Sequence, residues 1–141
     1  MSWLKSVLVF AMAVLLFGAS AFSPHAAVQA ASPNNRAEQQ LVLNQPIDAV
    51  RPAVEKAFDM WSRGELINAN VNEVTGVSRT NLFKFVDDIA VNLQPDDAEP
   101  TKTRLDIVSV GRMGEYDFGG NQRNIDEYVS TLRSLLSESA I

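Results

Sequence analysis

Between residues 47 and 136 the apolar side chains change their spacing twice, and this limits the fold more than any other feature of the 141-residue chain. Ile47, Val50, Val54, Ala57, Phe58 and Trp61 recur at helical spacing. Asp48 is placed to cap that helix, Pro52 falls in its first turn, and Gly64 stands as its stop. From Glu65 the period becomes two. Ile67, Ala69 and Val71 alternate with Asn68, Asn70 and Asn72, as on a half-buried strand. Residues 73–80 read either as a turn or as the end of that strand. The clearest strand is Leu82 to Leu93, with Phe83, Phe85, Ile89, Val91 and Leu93 on one face. After a turn rich in Pro and Asp, a strand from Lys102 to about Gly111 points Leu105 and Ile107 inward. The helical period then returns: Ile125, Tyr128, Val129, Leu132, Leu135 and Leu136 make one stripe over Asn121 to Ser137. With a short strand at Glu38–Leu43, the order is β-α-β-β-β-α. That pattern predicts an α+β fold: an antiparallel sheet of about four strands with two helices on one face.

The first thirty residues read differently. Lys5 precedes an uncharged apolar run, Val7 to Phe22, and small residues follow, with Val28 and Ala30 at the −3 and −1 positions of a cleavage site after Ala30. These are the parts of a secretory signal peptide. The competing reading is an uncleaved anchor, for which the run is at the short end. The expected organisation is therefore a signal peptide at 1–30, a flexible lead-in at 31–37 and a single α+β domain at 38–141. Export to a periplasm or thylakoid lumen is the expected localisation.

Removing residues 1–30 removes one lysine, no acid and the only histidine, leaving 11 basic against 17 acidic side chains and a net charge of −6. A negative domain without basic clusters is a poor nucleic-acid binder. The chain has no cysteine. Cysteine nucleophiles, a Ser-His-Asp triad in the processed chain and Cys/His zinc sites are excluded. No cofactor and no metal site are expected. Asp96, Asp97 and Glu99 have no calcium-loop spacing and read as a solvated acidic turn.

The residues able to carry chemistry gather around two segments. Strand alternation puts Asp87 among Phe83, Phe85, Ile89 and Val91, where a carboxylate needs a partner. A bulge at Asp87-Asp88 would exchange the two. Ser109 is the expected cross-strand neighbour, and Arg112 the expected source of charge. The glycine-rich loop from Gly111 to Asn121 opens into the last helix. There Arg112 and Arg123 flank free N–H groups able to hold an anion. Alternatively, Asp117 or Asn121 caps the helix and the glycines allow a tight path. The spacing is neither a Walker loop nor a dinucleotide fingerprint.

Phe85-Val86-Asp87-Asp88, followed by Ser109 to Asn121 (SVGRMGEYDFGGN), resembles the bacterial and plastid family called domain of unknown function 1499. That family shows a Phe-x-Asp-Asp strand and a segment of the form Arg-Ser-x-Ser-Arg-x-Gly-x-x-Asp-x-Gly-x-Asn leading into a helix. Ser109, Arg112, Gly114, Asp117, Gly119, Asn121, Arg123 and Ile125 match it; Val108 and Gly111 stand where the family often has Arg and Ser. The resemblance spans roughly Ile47 to Leu135. It implies a fold, a site location and an exported protein, lumenal in some photosynthetic organisms, but no activity. Two functions stay open. One is a non-enzymatic accessory or binding protein of the periplasm or lumen, with Asp87, Arg112 and Asp117 as a structural latch. The other is a carboxylate-based enzyme or small anionic-ligand-binding protein with its site at the Gly111–Asn121 loop. The partner would be an unidentified protein or small ligand, with membrane contact only through an uncleaved leader.

Overall fold

The computed structural model describes residues 32–139, and the leader read at 1–30 lies outside them. After a single 3-10 turn at Pro33–Asn35 come β1 (Arg36–Leu43), α1 (Ile47–Met60), β2 (Gly64–Ala69), β3 (Glu73–Arg79), β4 (Val86–Pro95), β5 (Thr103–Gly111) and α2 (Gly120–Glu138). The strands form one antiparallel sheet in the order β1-β5-β4-β3-β2. Helix α1 covers β2, β3 and β4, α2 covers β1 and β5, and the helices pack on each other. The class is α+β, with two helices over an antiparallel sheet. The sheet has one strand more than the sequence pattern predicts, because Glu73–Arg79 is a strand of its own.

Both helical stripes are buried where periodicity places them. Phe58 and Tyr128 meet between the helices with ring centroids 4.7 Å apart. The Tyr128 hydroxyl donates to the Val54 carbonyl at 2.8 Å. Burial drives that phenol well above its ordinary pKa, so it stays neutral. From the sheet, Ile89, Val91, Leu93, Leu105 and Ile107 complete the core. None of the helices among the described residues is long and apolar enough to cross a membrane.

Four local readings change. Helix α1 starts at Ile47 behind Pro46, without a side-chain cap, so Pro52 falls in the second turn and Asp48 in the first. Gly64 is the first residue of β2 rather than the helix stop. A methyl group there would lie 2.5 Å from the Phe58 carbonyl oxygen. In β2 the parity inverts. A bulge between Leu66 and Asn68 lets Leu66 pack on the core and leaves Ile67 57% exposed. Finally, the lead-in read at 31–37 is structured from Ser32 onward. Asn35 is buried, and Arg36 and Ala37 belong to β1, pairing with Val110 and Ser109. The physical reason is the Asn35 side chain, which finds polar partners inside the protein.

Candidate functional site

Strand β4 starts at Val86, later than the predicted Leu82, because the preceding residues close on themselves. The Thr80 N–H donates to the Phe85 carbonyl at 3.0 Å, the Phe85 N–H to the Thr80 hydroxyl at 2.9 Å, and Lys84 turns the chain with φ 56°. This loop throws Phe83 and Phe85 into solvent instead of the core, with Leu82 exposed beside them; Phe83 is 69% exposed. The two phenyl rings stack with centroids 5.6 Å apart. Opposite lies the loop after β5, where Met113, Tyr116 and Phe118 are also exposed, Phe118 by 93%. Phe118 holds φ 49°, a costly conformation for a bulky residue. Between the two loops is a cleft of about 420 Å³ whose lining includes Phe85, Met113, Tyr116, Phe118, Asp87 and Asp117.

Asp87 keeps the inward parity that counting from Ile89 and Val91 gives it, and it sits half-buried at the cleft wall. Its partner is not Arg112. Nor is Ser109 its cross-strand neighbour: Asp87 pairs with Gly111 and Ser109 with Ile89, and alternation through Gly111 sends Arg112 to the opposite face of the sheet. There its Nε and Nη2 donate to the two oxygens of Asp88 at 2.8 and 2.7 Å. Asp87 Oδ2 instead accepts from the Asn124 side chain at 2.7 Å. Burial raises the Asp87 pKa, opposed by the Asn124 hydrogen bond and the Arg63 charge and reinforced by Asp117 and Asp88.

Asn124 is the hub of a buried polar network beneath the cleft. Its amide nitrogen also donates to Ser109 at 3.3 Å, while its oxygen accepts from Ser78 at 3.2 Å and Arg63 at 3.0 Å. Arg63 continues to Glu127 at 2.7 Å, and the Trp61 indole donates to the same carboxylate at 2.8 Å. Burial works against ionisation of Glu127, but these donors outweigh it and hold the pKa below its ordinary value. In the other direction, Ser109 donates to Asn121 at 2.7 Å and Asn121 to Asn35 Oδ1 at 2.9 Å. The Asn35 amide then donates to the carbonyls of Met113 and Gly114, each at 2.9 Å. Gly111 makes this possible, since a methyl group there would lie 2.3 Å from Asn35 Oδ1. Asn35 thus fills the space beside a position where the resembling family carries a side chain. Val108, the other departure, faces the far side of the sheet beside Val110.

The start of α2 is closed by the protein's own carboxylate. Gly119 occupies the N-cap with φ 84° and offers no side chain, so Asp117 reaches in from two residues before. It accepts from the Asn121 N–H at 2.8 Å and the Gly119 N–H at 3.2 Å. Burial opposes ionisation of Asp117, and those N–H groups outweigh it, leaving the pKa lowered. Of the predicted cluster, the structure joins Asp87 and Ser109 through Asn124, adds Asn121 through Ser109, and leaves Asp117 beside them at the cleft. It separates off Asp88 and Arg112 on the far face, and Arg123 is exposed. The expected anion seat between Arg112 and Arg123 is therefore not assembled. Asn35, Ser78, Arg63, Asn124 and Glu127 escaped the sequence reading. Asn124 carried a signal, standing three residues after Asn121 and four before Tyr128, hence on the buried stripe of α2.

A family model described as "Protein of unknown function (DUF1499)" matches residues 20–132. The chain belongs to that family. No curated protein matches this chain. A protein of Nitrosospira multiformis superposes on this DUF1499 chain with a TM-score of 0.51 at 8% identity, over 75% of this chain and 99% of its own, a likeness that shows the fold alone. A Chromobacterium violaceum protein (TM-score 0.48, 10% identity, 72% and 96% covered) and one from Thermus thermophilus (0.45, 9%, 75% and 99%) are more distant in shape. Among the described residues of this DUF1499 member, no three acidic, His or Cys side chains gather as a metal site would need.

Two predictions arise from this geometry. Asp117→Ala removes two acceptors from the start of α2 and is expected to cost about 1 kcal/mol, the usual value of a lost helix cap. Urea unfolding checks it, and an unchanged midpoint would show that the cap contributes nothing. For Asp87 the sign follows from its raised pKa. The folded state holds the proton more tightly than the unfolded chain, so ionisation lowers stability as pH rises through that window, and the deficit persists above it. Asp87→Asn, which keeps an acceptor for Asn124, is expected to be more stable than the parent at pH 7. The gain should shrink as pH falls below the ordinary aspartate range. Equal midpoints at both pH values would contradict it.

Proposed function

We propose that this protein is an exported, non-enzymatic binding protein of the periplasm or thylakoid lumen. Its cleft between residues 80–87 and 113–120 takes a small apolar molecule that presents a hydrogen-bond donor or positive charge to Asp87. The observation that carries this reading is the pairing of one half-buried carboxylate with a cleft walled by Phe85, Met113, Tyr116 and Phe118. A volume of about 420 Å³ falls within the range of small-molecule sites. The two acidic lining residues, Asp87 and Asp117, face no basic side chain in the lining, which selects against an anionic ligand. The leader-like run at residues 7–22 supports export.

Native mass spectrometry of the protein purified from its own cell envelope tests the reading. One small molecule per chain is expected, lost in Tyr116→Ala and weakened in Asp87→Asn. A bare chain throughout, or a ligand indifferent to both changes, would refute it. The same spectra are expected to show a chain starting at Ala31, and an intact Met1 start would refute processing. A second reading has one observation behind it: Asp87 and Asp117 share the cleft with pKa values moved in opposite directions. That is the arrangement a carboxylate-based enzyme needs, with Asp87 as the proton-carrying group.

A further inference from the structure

Six large apolar side chains, Leu82, Phe83, Phe85, Met113, Tyr116 and Phe118, stand exposed on two loops at one end of the sheet. Scattered exposed apolar residues are ordinary; a contiguous group on two facing loops marks a contact surface. Packing inside the domain does not account for them. Two of the loop residues, Lys84 and Phe118, hold positive φ, which adds backbone cost to the cost of exposure.

The occupant is indicated by where the chain enters the domain. The Ser32 hydroxyl donates to the Glu115 carbonyl at 3.3 Å, and the Asp117 N–H donates to the Asn34 carbonyl at 3.3 Å. The first described residues therefore lie against the very loop that carries Tyr116 and Phe118. The uncharged apolar run ends at Phe22, ten residue steps before Ser32. Those steps span at most about 36 Å when fully extended. A domain held to a membrane by that run hangs from its rim end, with the turn between β4 and β5 at the far end. The ten residues of β4 separate the two ends by about 30 Å. Lys84, between Phe83 and Phe85, sets a cation among aromatic rings, the composition that suits the headgroup level of a bilayer.

We infer that this aromatic rim is a bilayer-docking surface, seated on lipid while the N-terminal run holds the chain at the membrane. The inference does not depend on the cleft having a ligand. It extends membrane contact beyond the leader, the one place the sequence predicted it. While the run is attached, the rim is the part of the domain that meets the lipid first.

The test places a tryptophan at either end of the full chain, reconstituted through its N-terminal run into phosphatidylcholine vesicles. Trp3→Phe removes the leader's own tryptophan, and Trp61 is buried in the core. In that background Phe118→Trp is compared with Thr101→Trp, both at exposed positions. Vesicles containing brominated phosphatidylcholine are expected to quench the tryptophan at position 118 at least several-fold more than the one at 101. Adding Phe83→Ser should reduce that quenching. Equal quenching at the two positions, or none at either, would overturn the inference, since the domain would then lack a lipid-facing end.

Discussion

Asn124→Leu is expected to destabilise the protein by about 3 kcal/mol, although leucine fills nearly the same space. The reason is the asymmetry of buried hydrogen bonds. Making one contributes little net stability, but leaving its partners without one costs about 1–3 kcal/mol each, more for a charge. Asn124 donates to Asp87 and Ser109 and accepts from Ser78 and Arg63. Arg63 retains Glu127, and Ser109 retains Asn121. The groups left worst off are the Ser78 hydroxyl, which still accepts from Arg63 at 3.3 Å but loses the acceptor for its own proton, and Asp87, whose pKa should rise further once its amide donor is gone. Urea unfolding reads the loss, and a double-mutant cycle with Asp87→Asn assigns it. The Asn124→Leu penalty should be at least about 1 kcal/mol smaller when position 87 is neutral. Additive penalties would mean that the carboxylate is satisfied by water in the cleft, and that Asn124 matters through Ser78, Ser109 and Arg63 instead.

Gly76→Ala is the second large effect, with an expected cost of about 3 kcal/mol from a single methyl group, at the upper end of the usual cost of overpacking. A Cβ on Gly76 would lie 2.3 Å from Phe58 Cδ1 and 2.7 Å from the Glu65 carbonyl oxygen. Phe58 is fully buried against Tyr128, so its ring has nowhere to turn. The strand must move instead. Gly76 is thus held by contact rather than by backbone angle: β3 needs a bare position where α1 crosses it. Trimming the obstacle should rescue the fold. Phe58→Leu combined with Gly76→Ala is expected to be more stable than Gly76→Ala alone, as read by thermal unfolding. A double variant weaker than both singles would place the fault elsewhere.

Much of the scaffold was legible because burial imposes a period. The stripe Ile125, Tyr128, Val129, Leu132 and the alternation Ile89, Val91, Leu93 are where counting places them, and the DUF1499 motif was readable in Ser109 to Asn121. The reading failed where a residue obeyed something other than period. Phe83 and Phe85 fit the alternation of a core-facing strand but lie in a closed loop, made by hydrogen bonds between Thr80 and Phe85. Ile67 is displaced by one extra residue in β2. Nearness to the end of β5 points Arg112 at Asp87, whereas parity through Gly111 sends it to the other face.

The sequence by itself determined the α+β class, the two helix faces, the inward direction of Asp87 and Ser109, and the family. These depend on repeating local patterns, which a chain displays before it folds. Only the tertiary structure decided that Asn124 is the partner of Asp87, that Asn35 ties the lead-in to the glycine loop, and that two separate loops make one aromatic rim. The two hydrogen-bonded pairings, Asn124 with Asp87 and Asn121 with Asn35, span 37 and 86 residues of chain. Nothing local encodes them, because a hydrogen bond between distant side chains exists only once the packing of the helices on the sheet has brought the groups within reach.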